Sequence, residues 1–302
     1  MKDNLAPIVL FVYNRLEHTK RTIEALKQND LANESELFIY SDGPKKKEES
    51  EKIEYVREYI RQIEGFKKVT IVERRENWGL AKSIVAGVTE IIENYEKIIV
   101  LEDDLITHKD FLKFMNEGLS KYKDDLRVYC LSGYSYVGEE MKDMGYYFLK
   151  ICSSWSWATW KDRWEQYDVL CEGWNELIAD KKLRKKFNYD HSYPFYNLLS
   201  RQMRDNTTNS WAIKWYWTVF KNDGLTLFPA KPLVINDGYD GTGEHCGIEK
   251  KKFKGFAKNS QSQTIKCNVD VEEQTQIRKK VVKAIRRQNN LVRKLQIIKD
   301  MV

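Results

Sequence analysis

Apolar residues recur along the first hundred positions in two alternating patterns. Short runs of aliphatic and aromatic residues cover 8–13, 37–41, 69–72 and 97–101. Between them the apolar positions fall three and four apart: Thr22, Ile23 and Leu26 within 17–28; Ile53, Val56, Tyr59, Ile60 and Ile63 within 48–63; Ile84, Val88, Ile91 and Ile92 within 80–94. The runs predict strands and the spaced positions predict amphipathic helices. Strands alternating with helices at this spacing predict an α/β fold: a Rossmann-like, mixed and mostly parallel sheet flanked by helices.

Polar residues follow each predicted strand. Tyr13, Asn14 and Arg15 end the first, and Asp42-Gly43-Pro44, which is turn chemistry, ends the second. Asn77, Trp78 and Gly79 separate the third strand from its helix, and Glu102-Asp103-Asp104 follow the fourth. In an open α/β sheet, ligands bind beyond the carboxyl ends of the strands, so these residues outline a polar site on one rim. Adjacent carboxylates repel, and the folded state needs a cation or donors to hold them. Oxygen ligands of this kind suit Mg²⁺ or Mn²⁺.

Composition narrows the class. With 302 residues, 42% of them hydrophobic, the chain is globular and long enough for a large core. No apolar stretch approaches the roughly 20 residues of a membrane span. The first 25 residues do not read as a secretory leader, because charges closely follow the short apolar run. The five cysteines are widely spaced, with no Cys-x-x-Cys or Cys/His zinc spacing, and read as reduced thiols of a cytoplasmic protein. The net charge of +6 is uneven: residues 276–302 hold nine Lys and Arg against one Asp, leaving 42 basic and 44 acidic residues elsewhere. That segment reads as a basic amphipathic helix. It suits either an anionic membrane surface, such as the inner face of the cytoplasmic membrane, or docking on the protein with its basic face in water. No nucleic-acid-reading motif accompanies the charge.

Five tryptophans, Trp155, Trp157, Trp160, Trp164 and Trp174, lie within twenty residues, and Trp211, Trp215 and Trp217 follow. Most are expected in the core, with one or two lining an acceptor groove, since aromatic faces stack on sugar rings. Residues 236–247 place four glycines around aspartates and His245, a flexible loop able to close on a phosphate or sugar.

The order of these pieces resembles the GT-A-fold glycosyltransferases. It is similar to bacterial cell-surface enzymes related to the Golgi N-acetylglucosaminyltransferases that initiate complex N-glycans. The resemblance rests on residues 6–15, Ser41-Asp42-Gly43-Pro44, residues 77–81, Leu101-Glu102-Asp103-Asp104, the block 155–164, residues 209–215 and the loop ending at His245. It implies a catalytic domain over 1–250, with a nucleotide-sugar half (1–132) and an acceptor half (133–250), followed by a basic helical tail (251–302). It further implies that Tyr13, Asn14, Arg15 and Asp42 meet the nucleobase, that Gly79, Leu80 and Lys82 line the ribose and phosphate, and that Glu102 and Asp103 face the donor. Asp104 would ligate Mn²⁺ (or Mg²⁺) on the diphosphate, with His245 nearby. Trp155, Trp157 and Trp211 would serve the acceptor.

An inverting transferase also needs a carboxylate base. Where relatives often carry Asp, this chain has Asn209, so Asp240, Asp205 or Asp162 would have to serve, unless the motif is misplaced or the change disables the enzyme. The implied function is transfer of a sugar from a nucleotide-sugar, a UDP-sugar, to a glycan or lipid-linked acceptor in lipopolysaccharide or other surface-polysaccharide synthesis. A sugar nucleotidyltransferase and a non-catalytic carbohydrate-binding protein remain as alternatives. The first normally has a Gly-rich loop after its first strand, whereas the first glycine here is Gly43.

Overall fold

A computed structural model describes residues 4–137, 145–205, 209–238 and 269–300, with side chains of the last helix described to residue 289. The first hundred residues form the expected units: β1 (Ile8–Val12), α1 (Leu16–Lys27), β2 (Glu36–Ser41), α2 (Ser50–Ile60), β3 (Lys68–Glu73), α3 (Leu80–Tyr95) and β4 (Lys97–Glu102). β3, β2, β1 and β4 lie side by side in that order, all parallel. Alternate residues of each central strand point to opposite faces. Ile8, Leu10 and Val12, with Leu37, Ile39, Ile99 and Leu101, pack against Ile23 and Leu26 of α1 and Val56 and Ile60 of α2. Val9, Phe11, Phe38, Tyr40, Ile98 and Val100 pack instead against Ala81, Ile84, Val88, Ile91 and Ile92 of α3. The chain thus steps one way from β1 to β3 and crosses back to β4, so the strand order reverses between β1 and β4.

The second half extends the sheet. β5 (Leu105–Thr107) leads to α4 (Phe111–Lys121) and β6 (Val128–Ser132), then β7 (Tyr146–Leu149) and β8 (Trp157–Trp160). Short helices follow: α5 (Lys161–Trp164), α6 (Glu176–Ala179), α7 (Lys181–Phe187) and α8 (Phe195–Ser200). α9 (Trp211–Lys221), β9 (Leu225–Pro229), β10 (Val234–Asn236) and α10 (Thr275–Asp300) complete the described chain. The main sheet runs β3-β2-β1-β4-β8-β6-β9-β7 among the described residues, with β5 and β10 paired antiparallel beside it. β8 is antiparallel to both β4 and β6, and β9 is parallel to β6. The carboxyl ends of β4, β6 and β9 therefore share one rim, and the chain enters β8 from that rim. The expected α/β architecture is present, mixed and mostly parallel.

The tryptophans divide as their burial dictates. Trp157 is 1% exposed, and its ring lies 5.2 Å from Trp211, 5.5 Å from Trp164 and 5.9 Å from Trp215. This corrects the expectation that Trp157 lines an acceptor groove: it is core, enclosed between β8 and α9. α10 also belongs to the body. Ile277, Val281, Val282 and Ile285 are buried with Phe187, Leu199 and Tyr216, while Lys279, Lys283 and Arg287 stay exposed. Arg278 bonds Asp190 at 3.0 Å and Glu273 at 2.5 Å, tying the helix down at its start. Truncating a fully packed indole leaves a cavity as well as lost contact. Trp157→Ala should therefore cost about 3–5 kcal/mol of stability by urea unfolding; a loss below about 1 kcal/mol, in the range of surface positions, would mean the ring is not core.

Candidate active site

The rim at the β1/β4 reversal is where chemistry collects. Arg15 occupies the position before α1, and the chain turns sharply after Glu102. Asp103 and Asp104 do not splay into solvent; they are 5% and 7% exposed. Arg15 Nη2 donates to Asp103 Oδ1 and, at 2.9 Å, to Asp104 Oδ2. Its Nε donates to Asp103 Oδ2 at 3.4 Å. Thr22 of α1 donates to the Asp103 carbonyl at 2.8 Å, fixing the backbone of the turn. Burial works against the Arg15 charge, but the attraction of Asp103 and Asp104 wins and holds it more firmly protonated. Burial also raises the Asp103 carboxyl, against the pull of Arg15. Glu102 makes no ion pair among the described residues, and the Arg15 charge only partly offsets its surroundings. Burial of its carboxyl, with Asp104 and Asp103 beside it, pushes it up to about 8. Arg15 Nη1 is buried without a hydrogen-bond partner among the described residues.

The other strand ends are clasped by carboxylates. Asp42 accepts from the backbone N–H groups of Gly43 and Trp78 at 3.0 Å and of Gly79 at 2.9 Å. It thereby draws the loop after β3 to the end of β2 and anchors the start of α3. Gly79 turns there at φ 72°, a conformation that disfavours a Cβ. Leu80 is 41% exposed, and Lys82 sits 4.3 Å over the ring of Trp78. Tyr13 and Asn14 turn to Glu49, donating at 2.8 and 3.1 Å. Three residues of this rim were not singled out from the sequence: Glu49, Arg57 and Arg74. Arg57 bonds the carbonyl of Arg74 at 2.7 Å and Ser41 Oγ at 3.1 Å. The Arg74 guanidinium lies 4.1 Å over Trp78 and 5.2 Å over Tyr40, a cation–π stack. The Arg-Arg pair at 74–75, directly after a strand and before Asn77-Trp78-Gly79, is the signal that could have marked it.

β10 delivers the start of the glycine loop to the acidic turn. The Asp237 N–H donates to the Asp104 carbonyl at 2.8 Å, and Arg21 holds the Asp237 carboxylate at 2.5 Å. A Cβ on Gly238 would come within 2.3 Å of Asp104 Oδ2, so the backbone can lie this close to the carboxylate only because that position is glycine. Asp104 Oδ1 has only a long 3.5 Å contact from Asn236. No group of three metal-ligating side chains converges among the described residues. With Asp104 Oδ2 held by Arg15, Oδ1 is the oxygen that would meet an ion arriving with phosphate oxygens, as Mg²⁺ and Mn²⁺ sites commonly do. Asp240 and His245 lie outside the described residues.

Beyond β4 the rim turns aromatic. A cavity of about 280 Å³ is lined by Tyr134, Trp155, Ser210 and Trp211 among others. Trp155 is half-buried and meets Tyr134 edge-on at 4.8 Å. Asn209 is exposed directly before Ser210, which caps α9, and Asp205 is exposed at the end of the preceding turn. The described structure thus gathers Arg15, Asp42, Gly79, Lys82, Glu102, Asp103 and Asp104 on one rim, with Trp155 and Trp211 at the adjoining cavity.

This arrangement places acidic residues at the reversal point of an α/β sheet, where ligands bind in such folds, and sequence comparison gives the family. Residues 8–185 match glycosyl transferase family 2, and the chain belongs to that family. No curated protein matches the chain. Among solved structures, one likeness is to a mannosyltransferase from Pyrobaculum calidifontis, PcManGT, in complex with GDP-Man and Mn²⁺. It has 13% identity and a TM-score of 0.38 over 74% of this chain and 78% of that one. S. aureus TarS is similar at 15% identity and a TM-score of 0.30, over 42% of this chain and only 21% of TarS. An active-site mutant of LgtC gives 12% and 0.33, over 57% and 65%. These likenesses are distant, and the family assignment does not depend on them. No helix among the described residues is long and apolar enough to cross a membrane.

The tight approach of residues 236–238 to Asp104 has a direct consequence. Gly238→Ala must displace Asp104 or the backbone, an overpacking cost of about 1–3 kcal/mol. It should lower the urea midpoint without changing the slope; an unchanged midpoint would show that this segment does not rest on Asp104.

Proposed function

We propose that this family 2 glycosyltransferase moves a sugar, a hexose or N-acetylhexosamine, from a UDP-sugar to a glycan or lipid-linked glycan in surface-polysaccharide synthesis. The reaction would depend on Mn²⁺ or Mg²⁺ and invert the anomeric carbon. The observation that carries the reading is the buried Arg15–Asp103–Asp104 constellation at the β1/β4 reversal. In this reading Asp42 and Arg15 face the nucleobase, Asp103 and Glu102 the ribose and donor sugar, and Gly79 to Lys82 the phosphates. Asp104, with His245, would hold the metal. A divalent ion supplies charge neutralisation for the departing diphosphate. Asp240 is the first candidate for the base that takes the acceptor's proton and Asp205 the second, because Asn209 cannot ionise. Kinship with the Golgi N-acetylglucosaminyltransferases belongs to the same proposal. PcManGT's GDP-Man and Mn²⁺ are consistent with a metal-bound nucleotide-sugar.

A melting screen of UDP-, GDP- and CMP-sugars with and without Mn²⁺ tests the reading. UDP-sugars should raise the melting temperature only with metal, and Asp104→Ala should lose the effect; equal stabilisation of that variant refutes the metal assignment. Stabilisation by a nucleoside triphosphate in preference would favour the nucleotidyltransferase alternative. Stabilisation by sugars alone would favour the carbohydrate-binding one.

The exposed basic face of α10 is proposed to meet an anionic membrane surface at the cytoplasmic side. Each exposed Lys or Arg near such a surface contributes about 1 kcal/mol. The chain should sediment with phosphatidylglycerol vesicles at low salt and less at high salt. Salt-independent sedimentation, or none, contradicts the proposal.

A further inference from the structure

The cavity beyond β4 carries an inference about the acceptor, and it rests on the transferase reading. Its walls, among the described residues, are aromatic, hydroxyl, amide and aliphatic side chains with one thiol and no charged group. Trp155 and Tyr134 supply aromatic faces and edges, and Ser153 and Ser210 supply hydroxyls. Gln288 and Asn289, from α10, close one side. Their amides are held in place: Gln288 Nε2 donates to Tyr134 OH at 3.2 Å and Asn289 Nδ2 to the Ser192 carbonyl at 2.6 Å.

We propose that this cavity holds one uncharged pyranose ring at the end of the acceptor, and that Gln288 and Asn289 select it. A pyranose presents an apolar C–H face that packs on aromatic rings. It also carries a rim of hydroxyls that exchange hydrogen bonds with serine and amide groups, which both donate and accept. A uronic or sialic acid would bring a carboxylate against these neutral described walls, a costlier burial than that of a hydroxyl. The volume of about 280 Å³ lies at the small end of ligand sites, which suits one ring and not a chain. The family match ends at residue 185, and α10 lies beyond it. The helix therefore gives this transferase a wall that the matched segment does not supply, and the two amides are the place where its acceptor choice would be written.

Saturation-transfer NMR on the full chain tests this with methyl glycosides of glucose, galactose, mannose and N-acetylglucosamine, and with methyl glucuronide. At least one neutral glycoside should show transfer, concentrated on one C–H face, and the glucuronide none. Trp155→Ala should abolish the transfer. The double variant Gln288→Ala/Asn289→Ala should weaken binding by at least about fivefold, as expected for one lost net hydrogen bond. Binding of the glucuronide as well as the neutral sugars, binding unaltered in the double variant, or no neutral glycoside bound overturns the proposal. The UDP–Mn²⁺ melting shift is read on the same samples. Its absence in the wild type counts against the transferase reading, whereas its presence beside a failed sugar test counts against the cavity assignment alone.

Discussion

Three carboxylates in succession at the end of a buried strand would force that end open unless a positive group stood among them, and Arg15 is that group. Its guanidinium reaches Asp103 and Asp104 together. It can do so because β1 and β4 are neighbours although three crossovers lie between them in the chain. The pairing of distant segments brings the charge pair together, and the charge pair in turn fixes the start of α1 against the acidic turn. Taking one partner from such a buried pair typically costs about 3–5 kcal/mol, because the remaining charge is left uncompensated. The same low-dielectric setting makes the site responsive: whatever anion or cation enters competes with contacts already formed. Arg15 Nη1, enclosed and unbonded among the described residues, is a donor that the protein itself does not use.

The two halves of the rim are built on different physics. On the β1–β2–β3 side, carboxylates clasp backbone N–H groups: Asp42 takes those of Gly43, Trp78 and Gly79, and Glu49 takes that of Lys46. Such charge-assisted bonds hold loops whose side chains remain free to face a ligand. On the β8–β6 side, rings pack on rings, and polarity enters only through serines and amides. A polar, clasped half thus meets an aromatic one along a single rim.

How much of this was written legibly in the chain differs between the halves for a physical reason. The first seven elements match the apolar patterns to within a few residues at their ends, because β1, β2 and β4 are buried on both faces, β3 lies half-buried at the edge, and each helix packs a single stripe on the sheet. The positions of Arg15 and the acidic turn at a shared rim followed from that alternation alone. In the second half the strands are three to five residues long and mixed in direction. Their alternation is masked by aromatic residues that are buried on both sides. Trp157 illustrates the ambiguity: a tryptophan reads equally as core or as sugar platform until its neighbours are known. Glu49, Arg57 and Arg74 were missed because their roles are to bond backbone and rings distant in sequence, which no local spacing reveals. The thiols kept the expected state where described: Cys130, Cys152 and Cys171 are free.

The last helix shows why amphipathicity alone does not identify a partner. Its sequence fits a membrane surface and a protein surface equally, since both reward an apolar stripe beneath a basic face. The fold decides which face goes where. Ile277, Val281 and Ile285 are buried against the body, so the hydrophobic term that drives interfacial insertion is already satisfied within the protein over this stretch. Among the described side chains, the charges of Lys279, Lys280, Lys283, Arg286 and Arg287 remain for a surface to attract. Attraction of that kind is long-ranged, decays within a Debye length of about 8 Å at physiological ionic strength, and leaves the helix in place when it is screened. The docked helix runs from Arg278, near Lys150 at the far end of β7, to Gln288 at the cavity. A surface drawn to its outer face would therefore lie alongside the aromatic half of the rim and not across its acidic half.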